Sequence, residues 1–276
     1  MSLLIKNATV VNADKIINSD ILTENGKIID IAENIDNRSS TIIDATGLLA
    51  FPGGIDPHVH LELPTPAGNS SDDFRSGTLA ALSGGTTTII DFVTPSRGES
   101  LIKAFEKRKP QAEKSLIDYT LHMGISSFDE NTAAEIKKSI AAGITSFKAY
   151  LAYLKTIGIT YKELREVMQI IAAHNGTLAI HCEDGDEISR LQNKYVTCGC
   201  TTPFYHALSR PEYVETNAIA ETLKLASETG CRTYIVHVSA KKSIELIEKY
   251  KSSGKIFAET CPQYLLFTDS ELERAD

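Results

Sequence analysis

The chain has 276 residues, of which 42% are apolar and 23% charged, the balance of an ordinary globular protein. A formal net charge of −8 argues against nucleic acid or an anionic membrane surface as a partner, because both demand a basic face. No apolar run approaches the ~18 residues of a membrane span, and the start Met1-Ser2-Leu3-Leu4-Ile5-Lys6 lacks the layout of a secretion signal, so a cytoplasmic setting is expected.

In chain order, residues 3–50 alternate short apolar runs with Asn-Ala-Asp, Glu-Asn-Gly and Ala-Thr-Gly turns, the pattern of short strands joined by hairpins. From residue 51 the rhythm becomes strand then helix, with strands expected near 55–60, 87–92, 117–124, 144–150, 177–182, 233–238 and 256–260. That alternation implies a parallel sheet with right-handed crossovers. Three helices are marked well. One runs from Thr160 to His174, opened by a Thr160/Glu163 capping box and closed by Asn175-Gly176, with Leu164, Val167, Met168 and Ile171 on one face. A second runs from about Pro211 to Thr229 and ends at Gly230. A third follows Ser239, with Ile244, Ile247 and Tyr250 on one face before Gly254.

The chemistry-bearing residues fall at the ends of these expected strands. His58 and His60 close Gly53-Gly54-Ile55-Asp56-Pro57-His58-Val59-His60, and residues i and i+2 of a strand share a face, so the two imidazoles can grip one metal ion. His181 ends Thr177-Leu178-Ala179-Ile180-His181, and His237 ends Tyr234-Ile235-Val236-His237. Lys148 interrupts an apolar strand. On the strand alone it reads equally as a lysine exposed at a strand end or as an amine that takes up carbon dioxide and becomes an anionic metal bridge. Other histidines have blander readings: His122 a satisfied core residue, His174 a helix C-terminal partner of the dipole, and His206 a loop residue packed near an entrance. Five cysteines, scattered without a Cys-x-x-Cys pair, fit a reduced compartment and free thiols, Cys198 and Cys200 included.

Seven blocks carry a resemblance to a known family. They are residues 53–60 above, Gly-Gly-Thr-Thr-Thr-Ile-Ile-Asp-Phe at 84–92, Ser-Phe-Lys-Ala-Tyr-Leu-Ala-Tyr at 146–153 and His-Cys-Glu-Asp-Gly-Asp at 181–186. His-Ala-Leu-Ser-Arg-Pro at 206–211, Tyr-Ile-Val-His-Val-Ser at 234–239 and Glu-Thr-Cys-Pro-Gln-Tyr at 259–264 follow. Together, in this order, they resemble the cyclic amidohydrolases of the dihydropyrimidinase/hydantoinase branch. The resemblance implies a (β/α)8 TIM barrel over residues 51–276, and over residues 1–50 the N-terminal portion of a composite β-sandwich.

It also implies roles. His58 and His60 would hold the more buried of two Zn2+ ions and His181 and His237 the more exposed one. N6-carboxylysine at Lys148 and a hydroxide would bridge them. Tyr153 would bind substrate and donate a hydrogen bond to the oxyanion; without the family it reads as a packed loop tyrosine. Asp56 and Glu183 flank ligands and would orient the imidazoles. The family's proton-shuttling aspartate, at the end of an eighth strand, has no counterpart in strand context here. Neither Asp269 nor Asp276 takes that role. The chain is therefore expected to be a truncated form, poorly stable alone because strands one and seven have open edges.

The implied reaction is hydrolytic opening of a small cyclic ureide, a dihydropyrimidine or 5-substituted hydantoin, to an N-carbamoyl amino acid. A homotetramer is implied for the full-length form. Glu62, two residues after His60, argues against dihydroorotases, which carry an arginine there for a substrate carboxylate. An allantoinase-like hydrolase and a non-catalytic dihydropyrimidinase-like scaffold remain as alternatives. Bound zinc would separate enzyme from scaffold.

Overall fold

The computed structural model describes residues 2–36, 41–65 and 68–274, so Asp276 lies outside the described residues. Two compact units emerge. The first comprises residues 1–55 with 81–88, and the second residues 56–80 with 89–276.

The first unit is built on strands β1 (Ser2–Val11), β2 (Ile16–Glu24), β3 (Lys27–Ala32), β4 (Thr41–Asp44) and β5 (Leu49–Ala50). β1 and β2 pair antiparallel, and so do β2 and β3 across Asn25-Gly26, where both residues take positive φ (51° and 77°). Asn-Gly tolerates that conformation, and such a turn matches the twist of its flanking strands. The expectation of simple hairpins is only half met, since β4 and β5 return to pair parallel with β1. Small apolar clusters hold the sheet, Leu4, Leu22 and Ile35 in one and Ala8, Val10, Ile21 and Ala45 in another. The buried Asp20 carboxylate ties the turns together by accepting from Asn7 N at 2.8 Å and Ile35 N at 3.0 Å beside the Lys6 ammonium at 3.2 Å.

The remaining strands and helices follow in alternation. They are β6 (Gly54–Val59), the short pair β7 (Pro64–Thr65) and β8 (Gly68–Asn69), α1 (Phe74–Ser83), β9 (Thr86–Val93), α2 (Leu101–Ala112), β10 (Asp118–Ile125) and α3 (Glu130–Ala141). Next come β11 (Ser146–Tyr150), α4 (Tyr161–Ala173), β12 (Thr177–His181), α5 (Gly185–Thr197), α6 (Phe204–Leu208), α7 (Glu212–Thr229), β13 (Arg232–Ile235), α8 (Lys241–Tyr250) and β14 (Ile256–Ala258). Seven strands form one sheet in the order β6-β9-β10-β11-β12-β13-β14, and neighbours from β10 to β14 pair in parallel register. This is the strand order and alternation of a (β/α)8 barrel.

The helices obey their sequence signals. Thr160 and Glu163 form the reciprocal capping box of α4, whose Leu164, Val167, Met168 and Ile171 are fully buried. Gly230 stops α7 in the left-handed conformation, φ 67°. One expectation fails on α8: Ile247 is buried and Tyr250 packs on the core, but Ile244 stays half exposed. A continuous apolar core of strand and helix residues, among them Ile89, Met123, Phe147, Leu178, Ile180, Leu223 and Ile235, fills the second unit. Among the described residues no helix is long and apolar enough to cross a membrane.

Candidate metal centre and active site

The candidate ligands sit at or just beyond the C-terminal ends of their strands, where a parallel barrel exposes side chains of several strands to one point. His58 is the penultimate residue of β6 and His60 follows the strand. Their Nε2 atoms face each other at 3.2 Å. His181 ends β12 and His237 follows β13, with Nδ1 of the first 3.0 Å from Nε2 of the second. The two pairs are neighbours, since the His58 and His237 rings are 5.4 Å apart between centroids. Phe92 from β9 forms a wall behind the first pair, stacked on His60 at 4.6 Å and tilted against His58 at 4.7 Å.

Lys148 stands in β11 in register with Gly124 of β10 and Ala179 of β12. Two small neighbours leave room for a long side chain. Its residue surface is 1% exposed, so it is a buried lysine and not a strand-end one. The amine lies over the rings of Phe92 (5.4 Å) and Tyr150 (5.2 Å) and has no hydrogen-bond partner. Burial pushes its pKa down to about 7, against the weaker pull of Glu259 and Cys182. A neutral amine of this kind is a nucleophile, and one without a partner in the apolar interior is costly unless something fills its place.

Burial likewise favours the neutral form of His60 and His237, the form that ligates metals. His60 falls to about 3 through burial and then the neighbouring His58 and Lys148 charges. His237 falls to about 2 through burial, His181 and Lys148. Carboxylates hold the outer nitrogens of one histidine in each pair. Glu183 Oε2 meets His181 Nε2 at 2.6 Å, and Glu259 Oε1 meets His58 Nδ1. Burial raises the Glu183 carboxyl, but the hydrogen bond from His181 and the Arg210 charge bring it below the usual glutamate value. Glu259 behaves alike, burial being outweighed by His58 and Tyr234.

Of the two carboxylates expected to orient imidazoles, Glu183 hydrogen-bonds one, whereas Asp56 is recorded with none. Asp56 Oδ1 accepts from the backbone N–H of His58 at 3.0 Å and touches no imidazole. Glu259 occupies the place assigned to it. Glu259 and Phe92 are the residues that sequence reasoning missed; Glu259 opens one quoted block and Phe92 closes another, and each stands at a strand end like the histidines. His122 is a satisfied core residue, its Nε2 3.0 Å from Pro57 O and its Nδ1 on Ser146. Glu62 pairs with Lys114 at 3.6 Å.

No three His, Cys, Asp or Glu side chains converge on one point among the described residues. The histidines come as two pairs, and the buried Lys148 amine lies near enough to both for its charge to act on His60 and on His237. Two nitrogen donors from each pair, together with an anionic oxygen should Lys148 be carboxylated, would make a donor set that suits zinc. The residues present thus fit a binuclear centre.

Beside the His181–His237 pair opens a cavity of about 440 Å³, lined by Tyr153, His206, Arg210, Ser239 and Tyr264 among others. Tyr153 is 45% exposed, its ring 5.6 Å from that of His181. Its φ is +61°, and His237 sits at +40° and Glu62 at +48°. Left-handed backbone costs a non-glycine residue energy, and two of these residues, Tyr153 and His237, line the cavity. A larger groove of about 930 Å³, flanked by α3 and α4, contains none of the candidate ligands.

A profile of the amidohydrolase family matches residues 49–273. The D-hydantoinase of Geobacillus stearothermophilus is 42% identical over 282 residues, covering 99% of this chain and 59% of that protein. The dihydropyrimidinase of Dictyostelium discoideum is 39% identical, over 92% of this chain and 51% of that protein. Among solved structures, a D-hydantoinase (dihydropyrimidinase) from Thermus sp. superposes with a TM-score of 0.95 at 36% identity, over 99% of this chain and 60% of that one. An L-hydantoinase from Arthrobacter aurescens superposes at 0.86 and 30% identity, over 99% of this chain and 61% of that one. The chain spans roughly half to three-fifths of the length of these relatives. With a family profile across most of its length and a barrel sheet that carries the two histidine pairs, the chain belongs to the amidohydrolase family.

Proposed function

We propose that this chain carries the metal-binding core of a hydrolase that opens a cyclic ureide, a dihydropyrimidine or a 5-substituted hydantoin, to an N-carbamoyl amino acid. Residues 1–50 would then belong to a composite β-sandwich and 51–276 to the barrel. The observation that carries the reading is the buried Lys148 amine, without a partner among the described residues, whose charge acts on a histidine of each of two facing pairs. His58 and His60 would hold one Zn2+ ion and His181 and His237 the other, with carboxylated Lys148 between them. When bound, such a pair supplies hydroxide at neutral pH and withdraws charge from a carbonyl oxygen.

The chain's own residues supply the rest. Tyr153, on the cavity wall beside His181, is placed to donate its phenolic O–H to the substrate carbonyl oxygen as charge develops there. The polar flank from His206 and Arg210 faces the same cavity and suits the acceptor oxygens of a ureide ring. Phe92 packs against both rings of the first histidine pair and gives it an apolar backing.

The test is ring opening itself. With zinc and bicarbonate supplied, dihydrouracil or a 5-substituted hydantoin should yield its N-carbamoyl amino acid, and Lys148→Met should abolish the reaction. A zinc-loaded protein that leaves both rings intact would sink the substrate assignment.

A further inference from the structure

We propose that Glu259 is a positioning residue that fixes the tautomer of His58, and through it controls the His58–His60 metal position separately from the His181–His237 position. The inference rests on the binuclear reading above and goes beyond it. It starts from topology. Glu259 follows β14 and His58 is the penultimate residue of β6, at opposite ends of the seven-stranded sheet and 201 residues apart in sequence, yet Glu259 Oε1 bonds His58 Nδ1.

A neutral imidazole has one N–H and one lone pair. A carboxylate accepts only, so the nitrogen facing it must carry the hydrogen. Glu259 thus places the His58 hydrogen on Nδ1 and leaves the Nε2 lone pair pointing at His60 Nε2, 3.2 Å away. Glu183 makes the opposite choice on His181, holding Nε2–H and freeing Nδ1 toward His237. One carboxylate serves each pair, each selecting a different ring nitrogen.

The two positions differ in what else supports them. Glu183 is backed by the Arg210 guanidinium, 3.4 Å from its other oxygen. Glu259 is held by Tyr234, whose hydroxyl donates to Oε2 at 2.8 Å, and by its own backbone, which bonds Ile235 O at 3.0 Å and Val238 N at 2.8 Å. His60 offers no second anchor, since its Nδ1 is buried without a partner. Beyond the apolar packing of Phe92 on both rings, the polar anchor of the first pair is therefore Glu259, whose own side-chain support among the described residues is the neutral hydroxyl of Tyr234.

Glu259→Gln keeps the shape but lets an amide N–H₂ face Nδ1, which favours the Nε2–H tautomer and blocks the metal-facing lone pair. Outer carboxylate partners of metal-bound histidines commonly change affinity by ~10–100-fold. Zinc titration of the metal-free chain against a chromophoric chelator should show two binding events in the wild type. In Glu259→Gln one of them should weaken by roughly that factor while the other holds. Glu183→Gln should weaken the other event, and Tyr234→Phe, a gentler change, should weaken the Glu259-dependent one a few-fold. In the metal-free chain, nitrogen-15 imidazole spectra should report Nδ1–H for His58 in the wild type and Nε2–H in the variant.

Should Glu259→Gln prove unfolded by circular dichroism, Glu259→Asp and Tyr234→Phe carry the same comparison. Two unchanged zinc events and an unchanged His58 tautomer in a folded variant overturn the proposal. A wild-type chain that takes up no zinc overturns the binuclear reading beneath it, a distinguishable result.

Discussion

Replacing Lys148 with methionine should stabilise the metal-free chain. The amine is 1% exposed and has no hydrogen-bond partner, while methionine fills similar volume without a polar atom. Burial brings the Lys148 pKa from 10.5 to about 7. At pH 8 the folded chain holds the amine neutral while the unfolded chain protonates it, which costs the fold ~3 kcal/mol at 1.36 kcal/mol per pH unit. For a chain of this size that corresponds to a melting-temperature rise of about 5–12 °C in the variant.

The sign can be checked independently. Between pH 7 and 10.5 the unfolded wild type binds the extra proton, so wild-type stability climbs with pH across that window, and the variant lacks this contribution. The assay is thermal unfolding in chelator and carbon-dioxide-free buffer, repeated with zinc and bicarbonate. There the order should reverse, because only the wild type can bridge two metals. A metal-free wild type as stable as the methionine variant would refute the argument that this lysine is held at a cost for function.

Three further outcomes follow from individual contacts. Tyr153→Phe should lower kcat for ring opening by ~10²–10³-fold with zinc content unchanged, since it removes one oxyanion donor; an unchanged kcat would return Tyr153 to a packing role. Gly124→Ala should destabilise the chain by ~1–3 kcal/mol and reduce zinc uptake, because its methyl would meet Val93 O at 2.5 Å beside Lys148; a neutral melting temperature would contradict this. Burial raises the Asp20 carboxyl, yet the N–H groups of Ile35 and Asn7 and the Lys6 side chain bring it below 3.8. Its contribution is thus complete above that value and lost as pH falls through the lower folded pKa, so Asp20→Asn should flatten the acid limb of unfolding followed by circular dichroism.

What was legible in the sequence was whatever is local. Period-two and period-3.6 patterning located seven strands and the helices α4 and α7 because each carries its own caps, such as the Thr160/Glu163 box and Gly230. The histidines could be read because each ends an apolar strand. The burial of Lys148 could not, because it depends on Gly124 and Ala179 flanking it across two strand pairings. Glu259 was invisible for a similar reason. Its bond to His58 exists only because the sheet curls until its first and last strands approach. Asp56, adjacent in sequence to the histidine pair, was assigned that task by proximity and instead caps a backbone N–H. Ile244 followed the helical period onto an apolar face that the core does not reach.

The central claim is that two histidine pairs and Lys148 form one binuclear centre, and zinc per chain tests it most directly. Elemental analysis of protein purified with bicarbonate and without chelator should give about two zinc ions per chain, as a paired-metal site requires, with a clear fall on Lys148→Ala. A folded chain that carries no zinc, or one whose zinc content ignores that substitution, would contradict the account.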